Sequence, residues 1–373
     1  MARLSLEGLQ TVVTSYVDAT KISVESFSVT RDNIIGLVDK IGKIYTIDTD
    51  VYDKLPELDG ELLSFGKIVE EWQLDMTLPV DYDADSDGTK ALANYAPSAR
   101  PVDYSYPLGK KIFPTSIPYN NIERAVHNEG QLVEVVTKIT KKLEDSVAAW
   151  KYGLKRELLG KAMSLIATAY SGATTYTQNS TVLAAGTYYK NGSGDVALCV
   201  KSEAAAVNKS FATLVSEGQL IPMAMIHEVA VPVDDTTGEA FIQAVKEEVE
   251  KAKDISEGKS LNGNVLGVEE GLALYVKQGV NPVLETKTLS GAFHLEEMGM
   301  GVEAKAIKDF GSYSGDGFAI LMDSRAIRLF PDYNGTFQQE NGFGARMNYF
   351  RHLEFTGHIS RNAFMVIFVP AGE

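Results

Sequence analysis

The sequence predicts an α+β protein in which a long β-hairpin feeds a long helix, followed by a mixed domain and returning strands. Three observations predict it. Residues 67–118 alternate like two strands around an acidic, Gly-containing stretch. From near Glu129 an apolar residue recurs every three or four positions for about forty residues. Near the end of the chain the alternation has strict period two, and a wholly apolar run follows it.

Residues 1–66 mix short apolar runs with breaks such as Asp59-Gly60, which predicts an arm holding a helix and short strands. In residues 68–80, Ile68, Glu70, Trp72, Leu74, Met76 and Leu78 share one side. No basic residue lies between Lys67 and Lys90, while Glu70, Glu71, Asp75, Asp81, Asp83, Asp85 and Asp87 are acidic. The expected return limb, 102–117, carries Tyr104, Tyr106, Lys110, Lys111, Ile112 and Phe113, with Pro97, Pro101, Pro107, Pro114 and Pro118 in and around it. Proline cannot donate to a ladder, so this limb should keep an exposed side. A lone hairpin is marginal in water, and its edges invite pairing with another chain. Trp72, Leu74, Tyr104, Lys110, Lys111 and Phe113 are therefore the candidate inter-subunit contacts, with an intrachain core as the alternative use of the aromatics.

The helical stripe comprises Leu132, Val135, Val136, Ile139, Leu143, Val147, Trp150, Leu154, Leu158, Ala162 and Ile166. No proline lies between Pro118 and Pro222, and forty residues would span roughly 60 Å. Gly153 and Gly160 allow a bend. The narrow stripe, with charge opposite, fits a helix lying across the surface of a thin subunit. After the polar stretch 171–195, an α/β-like region follows. Helices are expected over 202–216 and from a Thr237 cap to about Lys253, and strands over 223–233, 272–276 and 318–322. Met347, Tyr349, Leu353, Phe355 and Ile359 then share one parity. Asn348, His352, Glu354, Thr356, His358 and Ser360 share the other, with Phe350 the exception, which predicts an antiparallel strand with one wet face. Residues 363–369 read as a strand covered on both sides.

Composition narrows the function. Apolar residues make up 45% and charged residues 23%, an ordinary globular balance. A net charge of -15 argues against a protein whose task is gripping phosphates, though not against one that merely encloses DNA. Cys199 is the one cysteine, so the fold cannot depend on an internal disulfide. The opening residues lack a basic stretch followed by an apolar one, and no eighteen-residue apolar window exists, which predicts a cytoplasmic product. The sequons at Asn179, Asn191, Asn208 and Asn334 then read as chance.

No motif earns a catalytic reading. The five histidines (His127, His227, His294, His352, His358) lack metal-site spacing, and His352 and His358 would stand about 20 Å apart on a strand. Asp83, Asp85, Asp87 and Gly88 imitate the start of a calcium loop, but its twelfth position is Asn94 where a bidentate Glu is needed. Gly311–Gly317 and Gly192–Gly194 match no phosphate-binding loop, and Cys199 has no His partner in a recognisable arrangement. Glu70 and Glu71 point to opposite faces of a strand and cannot form a dyad.

The order of arm, hairpin, helix, α/β domain and returning strands resembles the major capsid protein of tailed bacteriophages, the Johnson-type viral capsid fold. It is nearest in pattern to the capsid proteins of small podophage-like phages. The residues that carry the resemblance are Gly66-Lys67-Ile68-Val69-Glu70-Glu71-Trp72-Gln73-Leu74-Asp75 and, later, Asp323-Ser324-Arg325, Tyr349-Phe350 and Ile359-Ser360-Arg361-Asn362-Ala363. The resemblance implies an N-terminal arm (1–66), an extended loop (67–118), a peripheral domain with the spine helix (119–195), an axial domain (196–324) and returning peripheral strands (325–373). It also implies a separate scaffolding protein or a processed form. In some members of that family a Lys joins an Asn in a crosslink, for which the resemblance offers Lys90, Lys110 or Lys111 and a partner such as Asn334.

The expected function is thus a non-enzymatic head protein that assembles as pentamers and hexamers into an icosahedral shell around double-stranded DNA. Its expected partners are itself, a scaffolding protein, a portal and decoration proteins, with no cofactor, metal or membrane. An encapsulin-like nanocompartment shell with protein cargo, and a monomeric carbohydrate-binding or adhesin protein, remain the alternatives.

Overall fold

The computed structural model describes residues 53–63, 68–74, 99–103, 105–118, 129–255, 258–265, 267–280, 301–302 and 304–371. Most of the predicted arm, the acidic stretch with its calcium-loop imitation, and Tyr104 lie outside the described residues. In chain order the strands and helices begin with β1 (Glu70–Leu74), β2 (Ala99–Asp103), β3 (Ser105–Pro118) and α1 (Glu129–Ser171). Next come β4 (Thr174–Thr175), β5 (Tyr188–Lys190), β6 (Val196–Cys199), α2 (Phe211–Ser216), β7 (Leu220–Pro222), β8 (Ile226–Glu228) and α3 (Asp235–Lys253). The rest are β9 (Lys259–Ser260), β10 (Gly263–Asn264), β11 (Leu272–Lys277), β12 (Ala304–Ile307), β13 (Ala319–Asp323), β14 (Ile327–Asn341), β15 (Arg346–Ile359) and β16 (Met365–Val369).

The chain divides into two compact units. The first comprises Met1–Gly66, Pro107–Lys155 and Leu329–Thr356; the second comprises Lys67–Tyr106, Arg156–Arg328 and Gly357–Glu373.

In the first unit, a three-stranded sheet of order β14-β15-β3 carries an apolar face. Met347, Tyr349, Leu353 and Phe355 are buried on β15, as period two demands. The Trp150 ring of α1 sits between Phe113 and Phe355, with centroids 5.5 and 5.3 Å away. Arg351 shares the parity of those apolar residues, and it too is buried, with Nε 3.3 Å from Asn334 Oδ1. The predicted wet face of β15 ends early: Thr356, His358 and Ser360 are buried as well.

The hairpin reading of 67–118 needs amendment. Pairing joins β1 to β2, in register from Glu70↔Asp103 to Leu74↔Ala99. From Ser105 the chain no longer belongs to that ribbon; β3 is an edge strand of the β14-β15-β3 sheet. Pro107, Pro114, Lys110 and Lys111 on β3 are the residue types that keep an edge from recruiting further strands.

The second unit is built on a mixed five-stranded sheet of order β12-β11-β13-β16-β8. The apolar run 363–369 falls in its interior, where β16 is antiparallel to β13 and parallel to β8. Helix α3 covers one face, burying Phe241, Val245 and Val249 against Leu274, Leu321, Val366 and Phe368. Phe241 meets Phe318 and Phe368 at 5.4 and 5.2 Å. The cap of α3 is Asp234, whose carboxylate accepts the Thr237 N–H at 2.9 Å; Thr237, the predicted cap, is instead the reciprocal member of the capping box.

The polar stretch 171–195 supplies β4 and β5 of a four-stranded sheet, order β4-β5-β6-β7. Its core holds Tyr176, Leu183, Tyr189, Cys199 and Leu214. Helix is confined to 211–216 rather than 202–216, because the upstream backbone is used in extended pairing. Val207 N–H donates to Thr181 O and Val207 O accepts from Asn179 N–H. Ser210 then caps α2 by accepting the Thr213 N–H. The strand expected over 223–233 is reduced to β8.

Helix α1 runs 43 residues. Its stripe widens beyond Lys155, where Leu158, Leu159, Ala162, Met163 and Ile166 are all buried. Gly160 allows the Phe310 carbonyl to approach so closely that a Cβ would collide with it.

Candidate assembly surfaces

Among the described residues no cluster of three metal-ligating side chains exists, and no helix is long and apolar enough to cross a membrane. Among the described residues, the features open to function include anchoring clusters, exposed edges and a cavity.

The first cluster fixes the start of the hairpin. Glu71, on β1, accepts from Ser360 Oγ at 2.7 Å and from Asn362 Nδ2 at 2.9 Å. Its other oxygen lies 3.4 Å from His358 Nε2. Asn362 in turn accepts from Asn262 Nδ2 at 2.6 Å. Burial pushes the Glu71 carboxyl up, but His358, Ser360 and Asn362 more than offset it, leaving the group below its usual range. This network ties β1 to the segment that follows β15.

The second cluster fastens residues 53–59. The Lys155 ammonium is fully buried and lies 2.5 Å from Asp53, 3.0 Å from Asp59 and 2.6 Å from the Leu55 carbonyl oxygen. Lys151 adds a 3.1 Å pair to Asp59. Burial raises the Asp53 carboxyl, while Lys155 and the Leu55 N–H bring it to a net position below its ordinary value. Leu55 and Leu58 are buried beside this clasp. Gly60 N–H donates to Leu329 O, which ties the segment to β14.

Among the candidate contact residues, Trp72 and Leu74 lie on β1, in register with Pro101 and Ala99. Tyr104 is outside the described residues. Lys110, mostly exposed, stands 3.8 Å from Glu354 and 5.9 Å from the Tyr333 ring centroid. Lys111 is exposed beside Ile112, which is also exposed. Phe113 packs on Trp150 of its own chain. Asn334, named for a crosslink, accepts from Arg351.

Sequence reasoning passed over two further features. The turn between β14 and β15 presents Phe343 with its whole side chain in solvent, braced by Gly344 N–H donating to Asn341 Oδ1 at 2.9 Å. A Phe flanked by two glycines was the available signal. In the second unit, a cavity of about 500 Å³ is lined by Tyr106, Lys161, Leu165, Tyr188, Leu261 and Arg361, among others. Lys161 lies 5.3 Å from the Tyr106 ring centroid.

This order of elements is that of a tailed-phage capsid subunit of the Johnson type, and comparison with solved structures agrees. The chain is similar to a chain of the Staphylococcus phage Andhra capsid at TM-score 0.54 and 10% identity, covering 87% of this chain and 86% of that one. It is similar to one of the cyanophage P-SCSP1u capsid at TM-score 0.51 and 10% identity, covering 87% and 90%. No curated protein matches it in sequence. Residues 6–369 match the model of the Phi29-like phage major capsid protein, and the chain belongs to that family. It is therefore a structural component of the virion.

Proposed function

We propose that this chain is the shell-forming head protein of a tailed phage, assembling as pentamers and hexamers into an icosahedral container for double-stranded DNA. The observation that carries the reading is the family match over residues 6–369. The two-stranded ribbon of β1 and β2 supports it, because a two-stranded hairpin is marginal in water without a surface to cover it. Residues 67–103 act as the extended loop, α1 with β3, β14 and β15 as the peripheral domain, and 196–324 with β16 as the axial domain, while 1–66 form the arm. Rings follow from heterologous contacts that close by rotation. In them Trp72, Leu74, Tyr104, Lys110, Lys111 and Phe113 lie at or beside the contact with the adjacent subunit. Assembly takes place in the host cytoplasm on a scaffolding protein, with a portal at one vertex and decoration proteins outside. The net charge of -15 suits a wall that encloses DNA without adhering to it.

The test is negative-stain electron microscopy with light scattering on the chain alone and with its scaffolding protein. Rings or closed shells of megadalton mass are expected. Removing residues 81–98 leaves the β1–β2 register intact and should yield a folded protein that closes no shells. A 40.6 kDa monomer under every condition would overturn the reading.

A further inference from the structure

We propose that β14 pairs along residues 333–341 with the same residues of a second copy of this chain, antiparallel and across a two-fold axis at Phe337. This rests on the shell-forming reading above and adds a joint between rings, because heterologous contacts close a ring whereas an isologous one links two.

The two edges of the β14-β15-β3 sheet are built differently. On β3, Pro107, Lys110, Lys111 and Pro114 guard the strand against further pairing. On β14 only the first part is covered. Asp59 forms a parallel bridge with Leu329, and the Gly60 and Leu63 N–H groups donate to the carbonyl oxygens of Leu329 and Pro331. Residues 59–63 therefore occupy the side of β14 that faces away from β15. Beyond Pro331, no described residue pairs with that side.

The strand nevertheless runs on to Asn341. Residues 333–341 contain no lysine, arginine or proline, and Glu340 is their one charged side chain. Tyr333 and Phe337 are exposed, with the Phe337 ring edge-on to His352 at 5.2 Å. A proline-free edge of low charge with exposed rings is a template for another strand.

The residues of this edge decide which strand. Phe337 stands at the centre of 333–341, so a two-fold axis there uses the whole length. Phe337 then meets its own copy, an aromatic cross-strand pair. Glu340 falls opposite Asn334, Gln339 opposite Gly335 and Tyr333 opposite Asn341, so no charge faces a like charge. A strongly acidic or basic partner strand would find little complementary charge here. So short a pairing buries less than a stable free dimer needs, and it forms where rings already hold many copies side by side.

A single cysteine on the axis tests this. In a Cys199→Ser background, Phe337→Cys opposes two thiols. Directly opposed antiparallel residues stand about 4.5–5.5 Å apart at Cα, within disulfide range. Mild oxidation of closed shells should convert most of the chain to covalent dimers. Gln339→Cys, about 13 Å from its own copy in this register, should stay monomeric. Phe337→Cys shells that remain monomeric, or Gln339→Cys shells that crosslink as readily, would overturn the assignment. So would a bond from position 337 to a different protein of the particle, which would give the edge to that partner.

Should Phe337→Cys prevent shells, a mixed assembly decides. Thr336→Cys chains combined with Gln338→Cys chains keep the ring and again oppose two thiols. Dimers in the mixture alone are expected, and none would sink the pairing. Phe337→Lys sets two like charges on the axis and should stop growth at rings, with an unchanged melting transition; closed shells from it would count against the joint. Absence of rings and shells from the unaltered chain would instead refute the shell reading itself.

Discussion

Replacing Lys155 by Met isolates the clasp that holds residues 53–59 against α1. The perturbation removes a fully buried ammonium that faces Asp53 at 2.5 Å, Asp59 at 3.0 Å and the Leu55 carbonyl oxygen at 2.6 Å. The methionine retains most of the stem volume, so little of the effect is a cavity. What remains is two neighbouring carboxylates and a carbonyl oxygen without their principal cation, with Lys151 at 3.6 and 3.1 Å as a more exposed substitute. Removing one partner of a buried pair costs about 3–5 kcal/mol, whereas replacing the whole set by neutral groups is often close to neutral. Urea unfolding of the unassembled chain should therefore show K155M less stable by about 3–5 kcal/mol. K155M with Asp53→Asn and Asp59→Asn should recover most of that loss. A K155M cost below about 1 kcal/mol, the level of a surface pair, would refute the reasoning. A triple variant as unstable as the single one would refute it too.

Three further outcomes are expected. Gly153→Ala meets open space and should stabilise α1 by up to about 1 kcal/mol, while Gly160→Ala drives a methyl into the Phe310 carbonyl and should destabilise; thermal melts of the two single variants give opposite signs. Phe355→Ala removes a buried ring that packs on Trp150 and should cost about 3–5 kcal/mol in chemical denaturation. Asp53 and Glu71 are held below their ordinary values of 3.8 and 4.5, so their contribution is complete above those values and disappears as pH falls through the lower folded ones. Stability measured by urea should thus decline on acidification below about pH 4, with a shallower slope in Asp53→Asn with Glu71→Gln.

The parts of the fold legible in the sequence are those whose signal is local and repeated. Helix α1 shows itself through a long proline-free stripe, and β16 through an uninterrupted apolar run between turn residues. What was illegible depends on partners distant in sequence. Lys155 stands next to Leu154 in an amphipathic helix and reads as a solvated charge, because Asp53 is 102 positions away. Thr356, His358 and Ser360 continue a polar parity, and only the return of Glu71 and Asp332 makes that side dry. The segment 202–210 has a helical pattern, yet the extended pairing of Val207 with Asn179 and Thr181 prevails over it. The cavity had no local mark either, since Lys161 and Arg361 meet only after the chain has folded back.

The position of β16 sets a schedule for biosynthesis. It lies between β13 and β8, both translated earlier, so until residue 369 has left the ribosome those two strands lack the neighbour that joins them. A chain terminated before Met365 would expose two unsatisfied edges and the underside of α3 together, a surface that invites aggregation and proteolysis. Only translation through this strand completes the sheet.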